Sequence, residues 1–298
     1  MAALADGRGG GADIAGLSDL SREGRCRLTV AWPNYDVTTR EAAVRRMGEL
    51  VEERVDLIFG RALRVALDDA SATIRQLAIA ALWEDEGDDL RESLLRLAIT
   101  DPSVDVRGEA VRALGAFADR AAEVDPTGDD DPGLRDALLA LVAEPDTSYV
   151  VRRRALEAVG AFGGHPAVQS LIADAYAADD QSMRASALAA MGRSLNARWL
   201  PIVVAELETD EAELRFEAVR AAGLLGDDRI APELAVLARD ADAEVRFEAV
   251  NALGRIGGRI SVRLLRMLAA EASNYEVELI EAALEEAESL EDVLRVGS

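Results

Sequence analysis

The sequence predicts an all-α protein, a right-handed α-α superhelix or solenoid of about seven to eight stacked helix pairs. Three observations carry that prediction. First, a segment clearest at Val245-Arg246-Phe247-Glu248-Ala249-Val250-Asn251-Ala252-Leu253-Gly254 recurs, with its arginine at 40, 75, 107, 152, 184, 215 and 246. The intervals are 35, 32, 45, 32, 31 and 31 residues, and a period in the low thirties marks a repeat array. Second, the apolar residues of each copy fall on one helical face: Val106, Ala110, Val111 and Leu114 are offset by four, five and eight. Third, most copies continue into a second apolar segment, as in Leu134–Val142, Val168–Tyr176, Pro201–Leu207, Pro232–Leu237 and Val262–Leu268. The unit is therefore a helix pair, which buries its apolar face only by stacking on its neighbours.

In chain order, residues 1–13 are rich in Gly, Ala and Asp and are expected to be disordered. Residues 1–36 form this start plus an N-terminal capping segment, and the repeat array occupies 37–298. A short helix is expected from about Ser21 to Val30, stopped by Trp32-Pro33, because proline pushes the residue before it out of the helical region. Trp32 and Tyr35 are expected to pack as part of the cap. The first copy opens at Arg40 and has its second helix at Arg61–Leu67. Asp101 is expected to be a helix N-cap with Pro102 at the first helical position, where the missing N–H costs nothing. Ala43, Ala110, Ala155, Ala187, Ala218 and Ala249 occupy equivalent small-residue positions. Gly48, Gly115, Gly160, Gly192, Gly223 and Gly254 follow eight residues after the arginine, suiting a helix end or a tight crossing. Trp83 stands where a turn is expected; it is read first as packing between helices and second as an exposed anchor.

The 45-residue interval contains Asp125-Pro-Thr-Gly-Asp-Asp-Asp-Pro-Gly133. The order of these residues does not fit a calcium loop, and a solvated acidic loop is expected. Of the three arginines at 152–154, the first belongs to the repeating row and the other two are expected to be exposed. The last copy is degenerate: Glu276 replaces the arginine, as in a terminal repeat that caps the array.

The net charge is −23, and all 33 basic residues are Arg. No basic stripe suited to phosphates stands out, which argues against nucleic acid as a partner. No apolar run reaches the ~18 residues of a membrane span, and no signal-peptide core is present. One Cys excludes an intramolecular disulfide, and one His with one Cys excludes a Cys/His zinc site. The expected location is the cytoplasm, with no metal and no cofactor. No nucleophile–base set or phosphate loop is found, so no catalytic residue is assigned and no enzymatic activity is expected.

The Asp-x5-Arg spacing, the Ala/Val/Leu helix, the Gly and the second helix resemble the HEAT repeat, and more narrowly its short bacterial and archaeal form named after phycobilisome lyases. The resemblance covers about residues 37–298. It implies that the repeated Asp and Arg form a ladder joining successive repeats. The ladder residues are then Arg40, Arg75, Arg107, Arg152, Arg184, Arg215 and Arg246 with Asp69, Asp101, Asp146 and Asp240. Thr209 and Ala178 depart from the pattern, with Asp210 and Asp179 one residue away. The iron-binding deoxyhypusine hydroxylases of this class carry His-Glu pairs, and this chain has none. In the family the second helices line the concave groove, so the candidate groove contacts are Arg135, Arg198, Glu206, Glu208, Arg239, Arg263 and Arg266, with Trp83. The implied function is a non-enzymatic scaffold or adaptor for a protein or peptide. The alternative is a lyase-like or accessory subunit of an enzyme complex.

Overall fold

The computed structural model describes residues 14–296 apart from Val55, Asp131 and Ser273. The first thirteen residues, where disorder is expected, lie outside the described residues. Those described are all-α, without a strand. In chain order the helices are α1 (Arg22–Ala31), α2 (Val37–Glu53), α3 (Gly60–Ala66), α4 (Ala72–Ala81), α5 (Asp88–Thr100), α6 (Val104–Val124), α7 (Pro132–Ala143) and α8 (Tyr149–Val159). They continue as α9 (Pro166–Tyr176), α10 (Gln181–Arg193), α11 (Leu200–Glu206), α12 (Ala212–Leu225), α13 (Ala231–Leu237), α14 (Ala243–Ile256), α15 (Gly258–Glu271) and α16 (Asn274–Val296). The chain divides into two compact units, residues 1–117 with 140–155 and residues 118–139 with 156–298.

In the first unit α2 packs along α4, burying Val44, Met47, Ala78 and Ile79. The ladder is built here from side chains that reach one copy ahead. Arg40 donates from Nη1 to Asp69 Oδ2 at 2.8 Å. Trp32, buried after α1, donates its indole N–H to the same oxygen at 2.7 Å. The tryptophan thus caps the first joint both with its ring and with a hydrogen bond. At the next joint Arg75 grips Asp101 with two parallel bonds, Nε to Oδ2 at 2.8 Å and Nη2 to Oδ1 at 2.7 Å. Its Nη1 meanwhile donates to the Asp69 carbonyl at 2.7 Å. A planar guanidinium has the donors for both tasks at once.

Asp101 is not the N-cap the sequence suggests. It ends α5, its Oδ1 accepts from the Ser103 amide at 2.9 Å, and α6 begins only at Val104. The carboxylate is committed to Arg75 and the local turn, so the first helical residue moves two positions on, from Pro102 to Val104. Arg107 reaches the Asp101 carbonyl at 2.7 Å. Arg152 donates to the carbonyls of Glu144 and Pro145 at 3.0 and 3.1 Å. Asp146, the acid that the spacing pairs with Arg152, is exposed. Arg153 lies over the Tyr149 ring at 6.0 Å, and Arg154 reaches Glu109 at 3.5 Å.

In the second unit α10, α12, α14 and α16 stack in sequence, each packing along the next. The repeated glycine makes the close crossing between them. A Cβ on Gly192 would lie 2.6 Å from Ala221 Cα, and one on Gly223 2.9 Å from Ala252 Cα. Gly160 meets Ala190, and Gly254 meets Ala283, in the same way. The facing residues Ala190, Ala221 and Ala252 stand six residues after their ladder arginines, not at the three-residue small positions, and beside glycine they let backbones approach where a larger side chain would hold them apart. The shorter helices α9, α11, α13 and α15 pack on α10, α12, α14 and α16 respectively.

Two ladder joints in this unit have different chemistry. Arg215 holds Asp240 bidentately at 3.0 and 2.9 Å and the carbonyls of Thr209 and Asp210 at 2.9 Å each. That grip holds the Asp240 carboxyl below the usual carboxylate range. Arg184 instead donates to Glu206 Oε1 at 2.6 Å, which also accepts from the Tyr176 hydroxyl at 2.5 Å. Burial, and then the hydrogen bond to Glu206, push the Tyr176 phenol up. Arg246 returns to the backbone pattern, bonding the Asp240 carbonyl at 2.9 Å.

Candidate functional site

A cavity of about 730 Å³ lies within the second unit. That falls inside the roughly 300–1,000 Å³ span of ligand pockets. Its walls come from the arginine-bearing helices and the turns that follow them. Glu157 and Ala161, Ala189 and Arg193, Arg220 and Leu224, and then Arg255 stand on successive copies of that helix or just past its end. Each pair is one helical turn apart, five and nine residues after its ladder arginine, so the same face recurs copy after copy. The remaining wall comes from the end of α6, through Asp119, Ala122 and Glu123, and from Pro126.

The 45-residue interval builds that remaining wall. α6 runs on to Val124, well past its copies elsewhere. The acidic segment then folds into an ordered turn, where a solvated loop is expected. Asp125 Oδ1 accepts from the Thr127 amide and hydroxyl at 2.9 and 2.6 Å, and Oδ2 from the Asp129 and Asp130 amides at 2.6 and 3.1 Å. These donors, the Thr127 hydroxyl first, hold the Asp125 carboxyl well below the usual carboxylate range. Gly128 at φ +68° leaves room for the Phe162 ring, which a Cβ would approach to 2.7 Å. The Gly164 amide donates to the Pro126 carbonyl at 3.0 Å, fastening the turn beside the cavity.

Inside the cavity, Arg193 donates to Asp119 through two bonds of 2.6 Å, joining residues 74 apart in sequence. Arg255 donates to Glu248 on its own helix. Arg220 lies 3.5 Å from Glu217, and Glu157 accepts from the Ser186 hydroxyl at 2.6 Å. Leu195, just after α10, is 69% exposed and holds φ +50°. In the next two copies the residue eleven after the ladder arginine is Gly226 at φ +68° and Gly257 at φ +63°. A leucine in the left-handed region costs roughly 1–2 kcal/mol, and here it sets an apolar group in the cavity lining.

None of the predicted groove contacts lines this cavity. Arg135 is 7% exposed and is spent on Asp129, Asp136 and the Thr127 carbonyl, so it orders the acidic turn. Glu206 is 6% exposed and serves as the ladder acid for Arg184. Both are corrections with one cause: a charged group with every bond satisfied inside the fold is not presented to a partner. Arg198 lies over the Trp199 ring at 4.9 Å and donates to Gln169. Arg266 pairs with Glu288 at 2.6 Å, while Arg263 and Glu208 are exposed. Arg239, paired with Glu271 at 2.5 Å, borders a smaller cavity of about 190 Å³ with Phe247 and Val250. Trp83, in the turn after α4, is 62% exposed, which overturns the packing reading. His165 caps α9, its Nδ1 accepting from the Ala167 amide at 3.2 Å.

Among the described residues no group of three or more His, Cys, Asp or Glu side chains is arranged to hold a metal ion. No described helix is long and apolar enough to cross a membrane.

A family model described as HEAT repeats matches residues 60–126 and 200–285, together just over half of the 298 residues. No curated protein matches the chain. Similar solved structures include the CpcE–CpcF complex of phycocyanin lyase from Nostoc sp., at 17% identity and a TM-score of 0.49, covering 76% of this chain and 94% of that one. Importin beta is similar at 14% identity and a TM-score of 0.45, over 93% of this chain and 43% of that one. Human deoxyhypusine hydroxylase is similar at 19% identity and a TM-score of 0.38, over 94% and 96%.

Proposed function

Because the chain belongs to the HEAT-repeat family, we propose that it is a non-enzymatic scaffold or adaptor whose second unit holds a segment of a partner protein in the 730 Å³ cavity. The observation that carries this reading is Leu195. The copies that follow place glycine at its position, so the fold has a strain-free solution there and does not use it. An exposed leucine held in an unfavourable backbone conformation beside a cavity with charged walls has the arrangement of a contact anchor: an apolar centre inside a polar rim.

The test is affinity capture from the native host with the wild-type chain, Leu195→Asp and Arg263→Glu, followed by mass spectrometry. One partner retained by Arg263→Glu and lost by Leu195→Asp is the expected result. A partner retained by both variants moves the binding face elsewhere. A low-molecular-weight chromophore or metal copurifying in place of any protein overturns the adaptor reading.

A further inference from the structure

The charges that line the cavity are sorted by wall. All three carboxylates, Asp119, Glu123 and Glu157, stand on α6 and α8. All three guanidinium groups, Arg193, Arg220 and Arg255, stand on α10, α12 and α14. The cationic wall is notable in a chain of net charge −23. The acids that accompany two of these arginines sit beneath them. Glu217 is 18% exposed against 47% for Arg220, and Glu248 is 12% exposed against 31% for Arg255. The charge that faces the cavity on that side is therefore positive. Asp119 and Arg193 neutralise each other through two bonds where the two sets meet, leaving Glu123 and Glu157 on one side and Arg220 and Arg255 on the other. The apolar groups Leu195, two residues past α10, and Leu224, on α12, lie next to the cationic set.

We infer that the cavity is specific for a partner segment of mixed charge, in which a basic and an acidic residue flank a large aliphatic or aromatic one. The acidic side chain meets Arg220 and Arg255, the basic side chain meets Glu123 and Glu157, and the apolar side chain packs on Leu195 and Leu224. This inference rests on the adaptor reading and specifies its ligand. A segment carrying charges of one sign satisfies one wall and faces like charge across the other, which is how an interface discriminates by repulsion as well as attraction.

Three capped, dye-labelled peptides share one Leu-Phe core and differ in the flanking pairs: Lys with Glu, Lys with Lys, and Glu with Glu. Fluorescence anisotropy against the full chain measures their affinities. The mixed peptide is expected to bind on the order of tenfold more tightly than either single-sign peptide. Arg220→Glu is expected to weaken the mixed peptide by a similar factor and to strengthen the all-Lys peptide. Arg220 is exposed, so the variant keeps the fold, which circular dichroism verifies. A single-sign peptide that binds best and is lost in Leu195→Asp overturns the mixed-charge specificity and leaves the cavity as the binding site. Equal affinity for all three, still dependent on Leu195, does the same. No binding of any peptide overturns both readings.

Discussion

The copies led by Arg184 and Arg215 are neighbours in one stack and are built on the same register, yet they close their joints differently. Arg215 takes Asp240 in two parallel bonds. Arg184 takes one oxygen of Glu206, an acid on the helix before the usual position, and shares it with Tyr176. The backbone contact beneath is the same in both: Gly192 on Ala221, Gly223 on Ala252. At the turn the two diverge again, with Leu195 in the place of Gly226. The difference separates two demands on the repeat. Helix-to-helix spacing is set by backbone approach, which tolerates almost no substitution. The ion pair requires only that some buried carboxylate reach the arginine, so its origin in the sequence can move. The copy that departs at both acid and turn is also the one that supplies Arg193 and Leu195 to the cavity.

Removing the acid from each joint should give the largest effects and sharpen this contrast. Asp240→Ala strands a mostly buried guanidinium that has lost two bonds, and a loss of about 3 kcal/mol is expected, at the lower end for broken buried pairs. Glu206→Ala costs Arg184 one bond and leaves the Tyr176 hydroxyl without its acceptor, for about 1–2 kcal/mol. Urea unfolding of both variants against the wild type measures the difference. Equal losses would mean that the second oxygen at Asp240 adds nothing.

Gly192→Ala and Gly223→Ala test the shared part of the two copies. Each new methyl would sit under 3 Å from a backbone atom of the facing helix, so both should lose roughly 1–3 kcal/mol through overpacking. Thermal unfolding should rank the two variants together. A cost at only one of them would show that the stack relaxes locally, and spacing would no longer be the common element.

What the sequence reveals follows the same division. The period, the helix pairs and the glycine crossings are legible because each depends on a residue type that physics requires at a fixed offset. The acid at Arg184 is not legible. Thr209 stands at the six-residue offset, and nothing in the spacing distinguishes Glu206 from the exposed Glu208 beside it. The cavity lies on the arginine-bearing helices, whereas the resemblance points to the second helix of each pair. The informative signal is the pair of positions five and nine after each ladder arginine, which places Arg193, Arg220 and Arg255 on one recurring face. The acidic turn at 125–130 looks solvated because its composition is polar. Its order comes from four bonds to one carboxylate, a geometric fact that composition does not carry.

Acid should weaken the Arg215 joint in a defined window. The folded Asp240 carboxyl titrates below its unfolded value of about 3.9 because Arg215 bonds it. Its contribution is therefore complete above that unfolded value and fades as the pH falls through the folded one. Asp240→Asn keeps an acceptor and removes the titration, so its stability should fall less steeply than that of the wild type below about pH 4. Parallel acid limbs for the two proteins would remove Asp240 as a source of the pH dependence.

The smallest effect expected is at the turn, and it has opposite signs in the two copies. Leu195→Gly relieves a left-handed leucine that is largely exposed, so stability should rise by up to about 1 kcal/mol, less the entropy glycine adds to the unfolded chain. Gly226→Ala places a methyl where nothing lies within 4 Å. Its cost of about 1 kcal/mol would therefore be conformational alone. Paired melting curves read both signs at once. If Leu195→Gly stabilises the chain and weakens capture of the partner, stability and binding are opposed at one residue, as a strained contact anchor requires. If it destabilises the chain, Leu195 is a packing residue of the α10 turn, and the contrast between the two copies reduces to the identity of the acid.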